Sequence, residues 1–152
     1  MLFHGDAEWL AKSHAVTSRC VEFSAFLHGI GGIAGKLTAK IAYHPSCHLS
    51  RGLGVKTEPI DALKRIDGVE VVPFAEPEEC CGFGGMFSVK HPEISTSMME
   101  RKLACIAKAP VERLVSCDMG CLLHLGGGLR RKGSTLRVQH LAQIVDEAAG
   151  PV

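Results

Sequence analysis

The sequence predicts an α/β domain with a parallel-sheet, Rossmann-like fold of three layers and an additional N-terminal helix. From residue 38 onward, short apolar strands alternate with helical stretches, which is typical of a parallel sheet built from β-α-β units. Before that point, apolar residues recur at helical spacing until a glycine-rich segment interrupts them. We therefore divide the chain into residues 1–36, an N-terminal helix and linker, and residues 37–152, a cysteine-rich domain.

The first predicted element is a helix over residues 7–28, because Trp9, Val16 and Leu27 belong to one apolar stripe. Cys20 lies on the same stripe, so we expect it to be a small buried core residue. Cys105 lies at helical spacing on a later helix, and we expect a core position for it too.

The glycine-rich segment GIGGIAGK, residues 29–36, superficially matches a nucleotide-binding loop. Such a loop follows a strand and opens a helix, so that the helix N-terminus faces the phosphate. This segment instead follows a helix and enters a strand. The sequence therefore predicts a linker here.

The remaining elements alternate along the chain. The predicted strands are residues 38–44, 69–74, 113–116 and 136–138. The predicted helices are residues 58–66, 92–107, 119–131 and 140–148. Pro92 fits the first turn of a helix, where its missing N–H group costs nothing.

Cysteines follow three of the predicted strands. Because the carboxyl ends of parallel strands meet at one edge of a sheet, we expect these cysteines to converge. Adjacent cysteines rarely bridge each other without strain, and a soft thiolate cluster suits iron with sulfide, or zinc. The sequence therefore predicts a metal centre. Its candidate ligands are Cys47, Cys80, Cys81, Cys117 and Cys121.

The local chemistry of the cysteines also favours ligation. Cys47 and Cys121 are each predicted in a first helical turn, where the helix dipole lowers a thiol pKa. Gly82, Gly84 and Gly85 leave room beside the cysteine pair for backbone amides to approach bridging sulfides. We therefore treat these glycines as candidate cofactor-binding residues, although a tight turn alone would also explain them.

Histidines make zinc the alternative metal. His44 and His48 flank Cys47, and His140 begins the last predicted helix, so a mixed Cys/His zinc site is chemically possible. Structural zinc sites, however, usually take their ligands from closely spaced pairs such as C-x2-C, and adjacent cysteines give a poor tetrahedral geometry.

Composition excludes several classes of protein. The formal net charge is +1 with interleaved signs, so we expect neither nucleic acid nor an anionic membrane as a partner. No apolar run reaches the length of a membrane span. Seven cysteines, an odd number, and an N-terminus without signal-peptide features predict the reducing cytoplasm. The sequence identifies no catalytic residue.

The stretches YHPSCHLSRGLG, EECCGFGGMFSVKHPEIS, CDMGCLLHLGG and VQHLA resemble the cysteine-rich CCG domain family. The resemblance is to the C-terminal half of lactate utilisation and glycolate oxidase iron-sulfur proteins, and more distantly to the cysteine-rich component of heterodisulfide reductase. It covers residues 40–148, and the upstream stretch EWLAKSHAVTSRCVEFSAFL resembles the helix that precedes the second CCG repeat.

The resemblance implies an oxidoreductase component, a domain that carries an iron-sulfur cluster and transfers electrons in lactate or glycolate oxidation. At matching positions the ligands would be Cys47, Cys80, Cys81 and Cys121. The family motif ends in C-x2-C, but Asp118 stands at the first of these two positions and would also suit a helix cap. Cys117, one residue earlier, stays open as a fifth ligand. Four thiolates fit a 4Fe-4S cluster and a fifth fits a non-cubane one, so the cluster type is also open.

The resemblance also implies partners, because the related proteins carry two CCG repeats and this chain has one. We expect other subunits of a lactate- or glycolate-oxidising complex, and a second CCG domain or a second copy of the chain, in contact with residues 82–89. The isolated chain is expected to be inactive alone. Two alternatives remain: thiol-disulfide catalysis by Cys80 and Cys81, as in heterodisulfide reductase, and a non-catalytic zinc-binding assembly module.

Overall fold

The computed structural model describes residues 2–150 and contains one four-stranded parallel sheet. The strands are β1 (Lys36–Tyr43), β2 (Asp67–Val71), β3 (Arg113–Ser116) and β4 (Arg137–His140), in the spatial order β2-β1-β3-β4. Helices cover both faces of this sheet. The predicted α/β, Rossmann-like three-layer fold is confirmed.

Seven α-helices and one π-helical turn accompany the strands in the described part of the chain. They are α1 (Ala7–Thr17), α2 (Phe23–Gly29), the π-helical turn (His48–Leu53), α3 (Glu58–Lys64), α4 (Met86–Lys90), α5 (Pro92–Ile106), α6 (Met119–Arg131) and α7 (Leu141–Ala149). Over the same residues, none of these helices is both long enough and apolar enough to span a membrane.

The core lies on both faces of the sheet. Ile41 on β1 packs with α2, α3 and α7, whereas the next residue, Ala42, packs with α5 and α6. This alternation follows from the period of two along a strand, and residues 41–43 of β1 and all of β3 are buried. Each fully buried leucine or isoleucine contributes about 1.5–3 kcal/mol to folding.

Side-chain caps define where the last two helices begin. The carboxylate of Asp118 accepts a hydrogen bond from the Cys121 N–H at 3.0 Å at the start of α6. His140 and Gln143 form a reciprocal capping box at the start of α7. These caps hold the helices directly after β3 and β4, which is why the predicted bounds of α6 agree with the structure.

The N-terminal segment differs from the prediction, because two helices replace the single helix expected over residues 7–28. Glu22 starts α2: its carboxylate accepts hydrogen bonds from the backbone N–H groups of Ser24 and Ala25 at 2.8 and 3.0 Å. A capping carboxylate begins a new helix, and α1 has already ended at Thr17. The apolar periodicity therefore spans two separate helices.

Helix α1 buries none of its residues, and Trp9 and Val16 are 53% and 62% exposed. Leu27 on α2, by contrast, is 1% exposed and belongs to the core. Cys20 lies in the exposed connection between the two helices, so its predicted core position is wrong. Cys105 is only half-buried, with its Sγ 3.8 Å from the Glu76 carboxylate, and so lies at the margin of the core.

Strand β2 and helix α4 also differ from the prediction. Strand β2 lies two to three residues before the predicted range, because the chain leaves the sheet after Val72, whose N–H still donates to the Ile41 carbonyl at 2.9 Å. Helix α4 is an additional helix, outside the residue ranges predicted to be helical. The predicted boundary between residues 36 and 37 stays a prediction, although α2 packs on the sheet together with the second segment.

The strand order fixes where a site can form. The chain goes from β1 outward to β2 and then returns past β1 to β3. Between β1 and β3 the connections therefore leave in opposite directions, which opens a crevice at the carboxyl ends of these two strands.

An ion pair between the buried Arg113 and the more exposed Glu147 gives a test of the fold. Arg113 is 4% exposed, and its Nη2 lies 2.9 Å from Glu147 Oε1. The hydrogen bonds from Arg113 lower the pKa of Glu147 to about 2. An acid with a lowered pKa adds stability that is complete above its unfolded pKa, about 4.3, and is lost as the pH falls toward about 2.

We expect Glu147→Gln to lower the free energy of unfolding at neutral pH by about 1–3 kcal/mol, a range reduced from that of fully buried pairs because Glu147 is partly exposed. The difference from the native chain should shrink near pH 3. Urea denaturation at neutral pH and at pH 3 measures this difference in the free energy of unfolding. A difference that does not change with pH would contradict the prediction.

Candidate metal centre

Three buried side chains meet at the carboxyl edge of the sheet: His44 after β1, Cys81 after β2 and Cys121 on the first turn of α6. One ring nitrogen and the two sulfur atoms all lie within 4.8 Å of one another. Because metal–thiolate bonds are about 2.3 Å long and metal–imidazole bonds about 2.0–2.1 Å, one metal atom fits among them with small side-chain movements. The predicted convergence of loops on this edge is thus present for these three elements.

Cys81 and Cys121 share a hydrogen bond, with their sulfur atoms 3.1 Å apart. This bond lowers the pKa of Cys81 to about 4, against the effect of burial, and the neighbouring His44 ring adds to the lowering. The same bond, together with burial, raises the pKa of Cys121. The directions of these two shifts favour the thiolate form of Cys81 over that of Cys121, against the effect of the helix dipole alone.

Cys80 neighbours Cys81 and interacts with Cys47, and both Cys47 and Cys80 are partly exposed. Burial raises the pKa of Cys80, and the neighbouring Cys81 and Cys47 raise it further. Cys47 also makes a small contribution to the raised pKa of Cys121, so the two thiols lie within electrostatic range of each other. These mutual effects are what closely spaced thiols produce through the repulsion between their charged forms.

Backbone amides approach two of these sulfurs. The Gly82 N–H donates to Cys80 Sγ at 3.4 Å, and the Phe83 N–H donates to Cys81 Sγ at 3.5 Å. Amide hydrogen bonds to sulfur are one of the means by which proteins adjust the potential of iron-sulfur clusters. The tight turn after the cysteine pair supplies them.

The glycines of that turn have separate roles. Gly82 has φ of +92°, and a Cβ atom there would lie 2.5 Å from the Ser95 carbonyl oxygen of α5. Gly84 and Gly85 also have positive φ, and a Cβ on Gly84 would lie 2.9 Å from Phe87 Cβ. Close packing of the turn against α4 and α5 thus accounts for Gly82 and Gly84, while cofactor contact by these glycines stays a prediction.

Cys117 lies on the other side of the sheet edge. It packs against the core beneath α2 and α3, and its sulfur is 3.8 Å from the Tyr43 hydroxyl. Burial raises its pKa to about 12. Its role as a fifth ligand stays a prediction, and the described geometry gathers His44, and not Cys117, with Cys81 and Cys121.

The other two histidines considered for zinc are engaged elsewhere. His140 Nδ1 accepts the Ala142 N–H at 3.1 Å as the cap of α7. The His48 side chain is 71% exposed, and its Nδ1 lies 3.7 Å from Asp118 Oδ2. Of the three, therefore, only His44 enters the group of potential ligands in the described residues.

Sequence reasoning missed Lys102, which holds the loop before the cysteine pair. Lys102 is 2% exposed, and its Nζ donates to the carbonyls of Glu76 and Pro77 at 2.6 and 2.9 Å. Burial lowers its pKa. A signal was available, because Lys102 lies at helical spacing from the buried Met99 and Ile106 on α5.

Comparison with known proteins identifies relatives of the whole chain. The family model described as CCG, cysteine-rich domain, matches residues 41–126. Lactate utilization protein A of Anoxybacillus flavithermus is 39% identical over 148 residues, which cover 95% of this chain and 62% of that protein. Lactate utilization protein A of Geobacillus kaustophilus is 38% identical over 148 residues, which cover 95% of this chain and 62% of that protein. Uncharacterized protein YkgE of Escherichia coli is 39% identical over 143 residues, 92% of this chain and 60% of that protein.

The chain thus spans about 60–62% of the length of these three curated relatives. The match includes residues on both sides of the region covered by the family model, since 95% of the chain aligns with the first two. The similarity therefore extends over the N-terminal helices and the last strand and helix as well as the cysteine-rich segment.

The close approach at Gly82 gives a test of the site's architecture. We expect Gly82→Ala to lower the free energy of unfolding by about 2–4 kcal/mol, because the residue has positive φ and the new Cβ would collide with a backbone carbonyl. The matched control is Gly127→Ala in α6, where no atom lies within 4 Å of the new Cβ. The control should gain about 0.5–1 kcal/mol. Chemical denaturation of both variants measures this, and equal effects would contradict it.

Proposed function

This chain belongs to the cysteine-rich CCG domain family, and we propose that it holds an iron-sulfur cluster and transfers electrons in the oxidation of lactate. The proposed thiolate ligands are Cys47, Cys80, Cys81 and Cys121. When bound, such a cluster takes up and releases single electrons.

The observation that supports this proposal most directly is the buried group of His44, Cys81 and Cys121 at the sheet edge, with Cys80 and Cys47 beside it. Soft thiolates in this number suit iron-sulfur clusters and zinc. The amide donors to Cys80 and Cys81 suit thiolate ligands, and such hydrogen bonds are one means by which proteins adjust the potential of iron-sulfur clusters.

The rim of the site fits electron exchange with a partner. Cys47 and Cys80 are partly exposed, so the site has one side open to another protein. Next to it, Met86 and Val89 of α4 expose 65% and 73% of their surface. Exposed apolar side chains beside an open edge are suited to protein contact. We propose that residues 82–89 meet a second CCG domain or another subunit of the complex.

The proposal of lactate as the substrate rests on the relatives. Two that cover 95% of this chain are named Lactate utilization protein A, yet the chain spans 62% of their length. We therefore propose a role within a larger assembly in the reducing cytoplasm, where another subunit removes hydride or electrons from lactate. Glycolate is the second substrate to test, because the sequence also resembles glycolate oxidase iron-sulfur subunits.

The cluster is tested by comparing cysteine variants. Anaerobically reconstituted protein should contain iron and sulfide in near-equal amounts with broad visible absorption. Cys81→Ser should lose most of this iron, because a serine hydroxyl is a poor ligand for a soft site. The control, Cys20→Ser, changes an exposed thiol and should retain the iron with stability within about 0.5 kcal/mol of the native chain. Iron and sulfide analysis measures this.

The alternatives give different results in the same experiment. A protein that binds only zinc, with a zinc content unchanged by Cys81→Ser, would contradict the cluster and favour an assembly module. A metal-free protein that reduces disulfides and loses this activity in Cys80→Ser would favour thiol-disulfide catalysis.

The physiological substrate is tested by growth. Deleting the gene in the source organism should impair growth on lactate and leave growth on glucose unchanged. The native chain and Cys20→Ser should restore growth, and Cys81→Ser should not, because it removes a cluster ligand. Growth on glycolate distinguishes the second substrate. Normal growth of the deletion strain on both acids would contradict the proposed function.

A further inference from the structure

We propose that His44 is a direct ligand of the metal centre and binds iron through a ring nitrogen, beside Cys81 and Cys121. This inference rests on the proposed cluster and adds a ligand that its cysteine motif does not contain. Its basis is the surroundings of the His44 ring in the structure.

The His44 side chain is buried, and its ring lies close enough to the Cys81 sulfur to lower the pKa of that thiol. The residue is 1% exposed, and among the described residues neither Nδ1 nor Nε2 has a hydrogen-bond partner. Leaving a buried polar group unpaired costs about 1–3 kcal/mol, so buried nitrogens almost always have a partner. A metal bound to one nitrogen removes most of this cost.

The ring also lies beside the position that a metal bound by Cys81 and Cys121 would occupy. One of its nitrogens is within 4.8 Å of both Cys81 Sγ and Cys121 Sγ. The backbone of His44 is fixed by the sheet, because its N–H donates to the Val115 carbonyl of β3 at 2.8 Å. Sheet pairing therefore holds the imidazole beside the metal position before any metal binds. This arrangement lowers the entropy cost of ordering the side chain on ligation.

The other candidates for a fifth ligand are used elsewhere. The Asp118 carboxylate accepts the Cys121 N–H at 3.0 Å and lies near His48. Cys117 is on the opposite face of the sheet edge, against Tyr43. His44 is thus the donor that the fold directs into the site.

A histidine ligand changes the properties of the centre. A neutral imidazole in place of a thiolate removes one negative charge from the iron environment. Iron-sulfur centres with histidine ligands have higher reduction potentials than comparable all-cysteine centres. We therefore expect the centre of this chain to be easier to reduce than that of a variant in which a thiolate replaces the imidazole.

Pulsed electron paramagnetic resonance on cluster-loaded protein tests the bond directly. Protein grown with ¹⁵N-labelled histidine should show a strong hyperfine coupling from directly bound nitrogen, at the frequency of ¹⁵N. In unlabelled protein the coupling should be that of ¹⁴N. The selective label separates histidine ligation from the weaker coupling of backbone amides.

Variants assign the coupling to one residue. His44→Cys should keep the iron but lose the nitrogen coupling, and its midpoint potential should shift to more negative values. His44→Ala should lose the coupling and part of the iron. The matched control is His48→Ala, which removes the exposed neighbouring histidine and should change neither coupling nor potential.

The outcomes separate this inference from the proposed function. Protein that holds iron and sulfide without a ¹⁵N-histidine coupling, or with one that persists in His44→Cys, overturns the inference and leaves the cluster. If no iron and sulfide bind, the proposed function fails, and cobalt(II) binding to the metal-free protein becomes the test. A cobalt spectrum identical in the native chain and His44→Ala would overturn His44 ligation, and a changed one, with His48→Ala unchanged, would support it.

Discussion

The parallel pairing of β1 with β3 is the constraint on which the candidate metal centre depends. Tyr43 is in register with Val115, and the next residue along the chain, His44, continues the pairing through its N–H. The chain then continues to opposite faces of the sheet, toward α3 after β1 and into α6 after β3. The imidazole of His44 and the thiol of Cys121 reach one crevice because adjacent parallel strands end at the same level.

The cysteine pair is brought to this crevice by side-chain packing, since β2 is at the edge of the sheet and one strand further away. Lys102 binds the loop carbonyls before the pair, and the Ser95 hydroxyl donates to the Gly82 carbonyl at 2.7 Å after it. The Phe83 ring lies so near Gly120 that a Cβ atom there would be 2.5 Å from it. Helices α5 and α6 thus hold the turn from both sides, and this support keeps the cysteine side chains in place.

The electrostatics of the site follow from its burial. The pKa of Cys81 is lowered because Cys121, His44 and a backbone N–H surround its sulfur with donors and a polarisable ring. A buried thiolate without such neighbours would be protonated instead. Lys102 adds a buried ammonium group whose hydrogen bonds in the described structure go to carbonyl oxygens, with Cys80 lining the same small cavity. The site is therefore prepared for negative charge on the Cys81 sulfur, whereas burial and neighbouring thiols raise the pKa of Cys80 and Cys121.

The sequence by itself determined the alternation of strands and helices, the parallel sheet, the cap at Asp118, and the edge on which Cys81 and Cys121 meet. These features depend on local periodicity and chain direction, which single residues and their near neighbours specify. The tertiary structure decided that α2 and not α1 packs on the core, that Cys117 faces Tyr43, and that His44 is buried at the site. Periodicity shows that a residue is on an apolar face but not which distant element covers it. After the end of a strand, the direction of a side chain depends on where the chain turns, and long-range packing fixes that turn.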